Sequence, residues 1–291
     1  MSKNILIASS ALLLAGIFFV INDAIINYLS SIDIKFYHFI FYGTPAYLSV
    51  AIYLFLKGQL KRHIVTSNYY IVLLRSLIFA PLPFITFITL KNISLPEYTT
   101  LNMSSPMIAI IFAYFFLNEK LNIYIYLSLF VGFTGVVFVI QPGFDTFNIY
   151  FLVTLIGVVL ITTTSTIVNK YNNITTSVGY FLYGGLIIHL ISFLLFIYDP
   201  LKIDINTFII ITIASVFINL AIFLSTYAFK VSQKYYASIF CLVYLQIVWS
   251  SIVGFYFFDE YLNTLAFLGA ILIALSGLIS IPGQIRQVND K

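Results

Sequence analysis

Charged residues punctuate this chain at long and regular intervals. No Asp, Glu, Lys or Arg occurs between Lys35 and Lys57, Glu97 and Glu119, Lys120 and Asp145, Asp145 and Lys170, Lys170 and Asp199, Asp204 and Lys230, Lys234 and Asp259, or Glu260 and Arg286. Each gap holds 21 to 28 residues. A helix needs about 20 apolar residues to cross a bilayer. Two more such runs, at 5–29 and 70–90, are interrupted only by Asp23 and Arg75. The pattern predicts ten transmembrane helices, at 5–29, 36–56, 70–90, 97–117, 123–140, 148–168, 177–198, 205–229, 235–258 and 263–282. The runs are continuously apolar and lack the alternation of barrel strands, so the expected fold is an all-α integral membrane protein. The first run, with Lys3 ahead of it, is read as a span and not as a cleaved leader: it is too long and lacks a small-residue cleavage site.

Composition agrees with that solvent. The chain is 61% hydrophobic and 8% charged, with mean hydropathy +1.04, against about 25% charged residues in a soluble domain. The net charge of +4 then reports topology and not nucleic-acid binding. If the N-terminus is cytoplasmic, ten Lys and Arg fall on that side and only Lys35, Lys91 and Lys202 on the other. The expectation is a multi-pass protein of the cytoplasmic (inner) membrane with both termini cytoplasmic. The single cysteine, Cys241, lies within a span and permits no internal disulfide.

Two stretches nearly repeat: "YFFLNEKLN" at 114–122 and "FYFFDEYLN" at 255–263. Aligning Glu119 on Glu260 also matches Phe116 with Phe257, Leu121 with Leu262 and Asn122 with Asn263. The first copy ends the fourth expected span and the second ends the ninth. Five spans lie between them, so the copies face opposite sides of the membrane. This predicts an inverted repeat of two five-helix halves, at 1–142 and 148–282, the device by which secondary transporters exchange inward-open and outward-open shapes.

The stretch "LKNISLPEYTTLNMSSPMIAIIFAYFFLNEKLN", with the later "VGFTGVVFVIQPG", carries Pro106 in the fourth span, Glu119 at its end, and Gly132, Gly135, Pro142 and Gly143 along and after the fifth. "VYLQIVWSSIVGFYFFDEYLN" and "GAILIALSG" repeat that pattern at Glu260, Gly269 and Gly277. On these residues the chain resembles the drug/metabolite transporter superfamily, EamA type, over nearly its whole length. "NDAIINYL" and "LLRSLIF" resemble most the subgroup of S-adenosylmethionine and riboflavin transporters. The chain departs from that subgroup at Asn27, where a lysine is usual, at His38, where an arginine is usual, and at Gln141, where an arginine often precedes Pro-Gly. The resemblance implies alternating access around a cavity lined by the first, third, fourth, sixth, eighth and ninth spans. It also makes S-adenosylmethionine the leading single substrate among small amphipathic metabolites. An amino-acid or drug exporter of the same fold is the alternative within transport; a lipid scramblase or a non-transporting scaffold is the alternative outside it.

Several polar residues fall inside the spans. Asp23 is the one acid there, and a central Asp costs about 2.5–3.5 kcal/mol on insertion scales. It either contacts a cationic ligand group together with Asn27, one turn on, or sits near the outer headgroups. His38 is placed within its reach. Arg75 either snorkels to the inner headgroups or contacts a ligand carboxylate. Pro81, Pro83 and Pro106 break their helices and free backbone carbonyls. Asn102, Ser104 and Ser105 cluster at the Pro106 break, and Tyr244, Gln246 and Trp249 occupy the same depth of the ninth span. Repeat-related helices with polar groups at the midplane point to a binding site, with polar packing as the competing reading. The candidate substrate-binding set is therefore Asp23, Asn27, Arg75, Asn102, Ser105, Tyr244, Gln246 and Trp249. Thr162 to Thr166 form a hydroxyl run expected to bond its own helix, and His189 is expected to be packed. Gly132 and Gly135 allow close helix contact, within the chain or in a homodimer. No catalytic, metal or cofactor motif is found, so the expected partners are a small-molecule substrate and the lipid bilayer, with no nucleic acid.

Overall fold

The computed structural model describes residues 3–289 apart from 33, 119–122, 142–146, 233–235, 241, 244–245 and 260–261. The described residues form helices and no strands. They run α1 (Lys3–Ser31), α2 (Phe36–Leu56), the short α3 (Leu60–Ile64), α4 (Tyr69–Phe79), α5 (Leu82–Leu90), α6 (Leu95–Asn102), α7 (Ser105–Leu117), α8 (Ile123–Ile140), α9 (Ile149–Lys170), α10 (Ser177–Tyr198), α11 (Ile205–Ser232), α12 (Tyr236–Phe240), α13 (Gln246–Phe258) and α14 (Thr264–Asn289). Among them are seven stretches long and apolar enough to cross a membrane, counting α4–α5 and α6–α7 as one crossing each. Shorter apolar helices, Tyr126–Val139, Trp249–Phe258 and Thr264–Ser276, occupy the places of the other three expected spans.

The breaks follow the prolines. Pro81 caps α5 and Pro83 lies in its first turn, while Pro106 lies in the first turn of α7. In a first turn the missing proline N–H has no partner to lose, so each proline ends one helix and starts the next. Upstream of α6, Ser94 and Glu97 form a reciprocal cap: the Glu97 amide donates to Ser94 Oγ at 3.3 Å, and the Ser94 amide donates to Glu97 Oε2 at 3.0 Å. The repeated peptides also share a backbone turn. Asn118, at the end of α7, has φ 54°, and Asp259, just past α13, has φ 53°. Asn and Asp are the side chains that enter the left-handed region at least cost. Glu119 and Glu260 themselves lie outside the described residues, as do Pro142 and Gly143.

Two apolar cores lie toward opposite ends of the bundle. One gathers Ile26, Leu29, Phe39, Phe87, Phe151 and Ile211. The other gathers Ala8, Leu12, Val72, Val168, Tyr180 and Phe229, nearer the end that carries the N-terminus. The outer surface is apolar as well, with Phe130, Leu194 and Phe257 well exposed, as suits helices solvated by lipid. α8 lies along α14 in the most extensive helix pair. Gly135 and Gly269 face each other there, and Ser128 Oγ donates to the Ser276 carbonyl at 2.6 Å. Gly135 is thus used inside the chain. At the end of α8, Gln141 Nε2 donates to Asn263 Oδ1 at 2.9 Å, ahead of α14.

Polar contacts join the loops at both ends. At the end far from the N-terminus, Lys35 Nζ donates to Asp199 Oδ2 at 2.8 Å. Tyr37 donates to the same oxygen, and Tyr42 donates to the Leu201 carbonyl at 2.5 Å. The Lys35 bond holds the Asp199 carboxyl below its ordinary range, and the same bond pushes Lys35 up. Both groups are exposed, so solvent screens the pair and its contribution to stability is small. His38 also belongs to this junction: its Nε2 lies 3.0 Å from the Asp199 carbonyl. His38, placed within reach of Asp23 by its position in the sequence, has its ring engaged by the 199 loop. At the N-terminal end, the Ser67 amide donates to the Ile174 carbonyl at 3.0 Å and Tyr183 donates to the Ile64 carbonyl at 2.7 Å.

Candidate functional site

Between the two apolar cores lies a cavity of about 240 Å³. Of the candidate residues, Asp23, Arg75, Asn102, Ser105 and Gln246 all line it. The first-span acid, the third-span arginine, the fourth-span break and the ninth-span amide therefore meet one space. Asn27 and Trp249 are not among its lining residues, and Trp249 is 46% exposed on the outer surface of α13. Tyr244 lies outside the described residues.

The Asp23 end is built by α1, α5 and α6. Asn22 Nδ2 donates to Asp23 Oδ1 at 3.3 Å, while Asn22 Oδ1 is buried without a partner among the described residues. Tyr98 faces the same region, its hydroxyl 3.0 Å from Thr86 Oγ1. Asn102 follows Tyr98 by one turn and donates Nδ2 to the Tyr98 carbonyl at 3.0 Å. That leaves its amide oxygen for another group. Gln246 packs flat against α1: a Cβ at Gly16 would sit 3.0 Å from Gln246 Cγ.

Arg75 marks the other end. It is 4% exposed, so its side chain does not snorkel to the headgroups. Instead Nη1 donates to the Tyr180 carbonyl at 2.8 Å, and Nη2 lies 3.5 Å from Thr226 Oγ1. Nε has no partner among the described residues. The guanidinium carbon stands 5.9 Å from the Phe79 ring and 5.7 Å from the Tyr180 ring, within cation–π range. Gly184 makes this seat possible, because any Cβ there would collide with Nη1.

α2 and α10 contribute wall residues absent from the candidate set. His189 stacks on Tyr47 with ring centroids 4.0 Å apart, and its Nδ1 lies 2.9 Å from Thr44 Oγ1. Tyr47 in turn donates to the Leu182 carbonyl. His189 is thus packed and partnered as expected, but it also lines the cavity. The signal available in the sequence was Gly184-Gly185, which admits the Arg75 and Tyr47 side chains against α10. The hydroxyl run behaves as expected toward its own helix: Thr162 bonds the Val158 carbonyl at 2.7 Å and Thr166 the Thr162 carbonyl at 2.8 Å. Thr164 and Ser165 nonetheless face the cavity.

A bundle of long apolar helices around an interior cavity that holds a few polar and charged side chains defines a multi-pass membrane protein. Residues 2–141 match the family model of the EamA-like transporters. That match gives the chain an EamA-like segment over its first half. A solved crystal structure superposes over 96% of this chain and 98% of its own, with TM-score 0.65 at 15% sequence identity. That likeness establishes a shared fold. No curated protein is significantly similar in sequence.

Proposed function

We propose that the protein is a secondary transporter that moves a small amphipathic metabolite across the cytoplasmic membrane by alternating access. The observation that carries this reading is the cavity. It is interior to the bundle, it holds both charged residues of the spans, and its remaining wall is largely apolar and aromatic. Such a site suits an amphipathic solute more than a lipid headgroup track, which needs a groove open sideways to the bilayer. S-adenosylmethionine stays the leading single substrate, on the resemblance of the first and third spans; an amino acid or a drug is the alternative within the same fold.

Alternating access asks for two exchangeable halves, and we assign them to 1–142 and 148–282, with ten spans in all. The packing pairs support that assignment. Let each span be exchanged with the one five places along. Then α1 on α11 becomes α9 on α4 and α5, α2 on α11 becomes α10 on α4, and α1 on α5 becomes α9 on α11. The pairs α2 with α10 and α8 with α14 map onto themselves. All of these pairs are present in the bundle.

The Lys and Arg distribution supports an orientation with both termini in the cytoplasm. A thiol introduced at Asp145 is then labelled by an impermeant reagent in intact cells, and one at Asn289 is labelled only after lysis. The reverse pattern refutes this orientation. Transport itself is tested by counterflow in proteoliposomes.

A further inference from the structure

We infer that the cavity takes an elongated dipolar ligand, its cationic group held at Asp23 and its anionic group at Arg75. The inference deepens the transport reading and rests on it. Among the described residues Asp23 and Arg75 are the only Asp, Glu, Lys or Arg side chains lining the cavity, and no ion pair joins them to each other or to a third group. Each is held by neutral dipoles alone. Arg75 has the Tyr180 carbonyl and the Thr226 hydroxyl; Asp23 has the Asn22 amide. At both ends a further polar atom is buried without a partner, Arg75 Nε at one and Asn22 Oδ1 at the other. An unpaired charge inside a membrane protein is costly to keep. Two of opposite sign facing one cavity are complementary to a ligand that carries both.

The spacing says which kind of dipole fits. Asp23 lies about 12 Å along α1 from its Ser31 end, and Arg75 about 9 Å along α4 from its start at Tyr69, at the opposite face of the bundle. The two charges therefore stand at different levels. Phe19, one turn from Asp23, and Phe79, one turn from Arg75, line the stretch between. A solute whose ammonium and carboxylate share one carbon reaches one end or the other. A solute whose charges are separated by an apolar or aromatic body reaches both.

The test uses four probes of similar size, titrated calorimetrically into the full chain in nanodiscs. They are 4-(aminomethyl)benzoate, with charges at both ends; 4-methylbenzylamine and 4-methylbenzoate, with one charge each; and phenylglycine, with both charges on one carbon. Wild type is expected to bind the first at least about tenfold more tightly than the other three, the scale of one lost charge-assisted hydrogen bond. Asp23→Asn removes the advantage conferred by the amine and keeps that of the carboxylate. Arg75→Gln does the converse, and Arg75→Lys restores the carboxylate preference. These are ratios within one protein sample, so partial misfolding of a variant does not mimic them. Equal affinity for the probes, no binding by any of them, or ratios unchanged in both variants overturns the inference. Its fate separates from that of the transport reading. Dipole binding without counterflow of any bound solute sinks transport alone, and counterflow with no charge preference sinks the two-ended site alone.

Discussion

Asp23→Asn lowers uptake into proteoliposomes by about tenfold to a hundredfold, while the variant purifies as a monodisperse species with a melting temperature no lower than wild type. The transport loss follows from the site. A hydrogen bond to a charged group is worth about 1.5–3 kcal/mol, which is that range in affinity, and among the described residues no other acid lines the cavity. The intact fold follows from the substitution. Asn keeps the shape and the oxygen that accepts from Asn22 Nδ2, and removing a buried charge that no cation neutralises costs the folded state nothing. Wild-type uptake by the variant would exclude Asp23 from substrate contact.

Gly269→Ala, the smallest substitution possible there, destabilises the fold by about 1–3 kcal/mol, or roughly 2–12 °C in melting temperature. A Cβ on Gly269 would lie 2.6 Å from the Gly135 carbonyl oxygen and 2.8 Å from Val139 Cγ2. Backbone cannot move aside as a flexible side chain does, so α14 must shift off α8 along a contact that also carries the Ser128–Ser276 bond. Leu275→Ala, on the lipid-facing side of the same helix at 44% exposure, leaves the melting temperature nearly unchanged. Equal melting temperatures for wild type and the Gly269 variant, measured by differential scanning fluorimetry in one detergent, would contradict the packing described.

Much of the fold was legible because a bilayer imposes simple constraints. Charges cannot sit freely in hydrocarbon, so their gaps outline the helices, and prolines lacking an N–H mark where α4 gives way to α5 and α6 to α7. Depth was legible in part: Asn102 and Gln246 were placed at the midplane by counting along their spans, and both line the cavity. Azimuth was harder. Trp249 follows Gln246 by three residues, only about 60° around the helix, yet it is 46% exposed while Gln246 lines the cavity, so the edge of the cavity wall falls between them. Arg75 could equally have snorkelled. What fixes it inside is a pocket made by Gly184, Tyr180 and Thr226, from two helices remote in sequence. The same remoteness hid the share of α2 and α10 in the wall. His189 reads as an ordinary packing residue, and no pattern in the sequence singles out Tyr47, on which it stacks. His38 was drawn off by the 199 loop, a contact between residues 161 positions apart that no local pattern announces.

The central claim is that this cavity carries a solute from one face of the membrane to the other. Counterflow tests it most directly. Proteoliposomes containing the full chain are loaded with unlabelled S-adenosylmethionine, or in parallel with 4-(aminomethyl)benzoate, and diluted into a trace of the labelled compound. The account predicts transient accumulation of label above its equilibrium level for at least one of these solutes, lowered by at least about tenfold in Asp23→Asn vesicles. Accumulation no greater than in protein-free vesicles for every solute tried, or accumulation that survives Asp23→Asn unchanged, would contradict it.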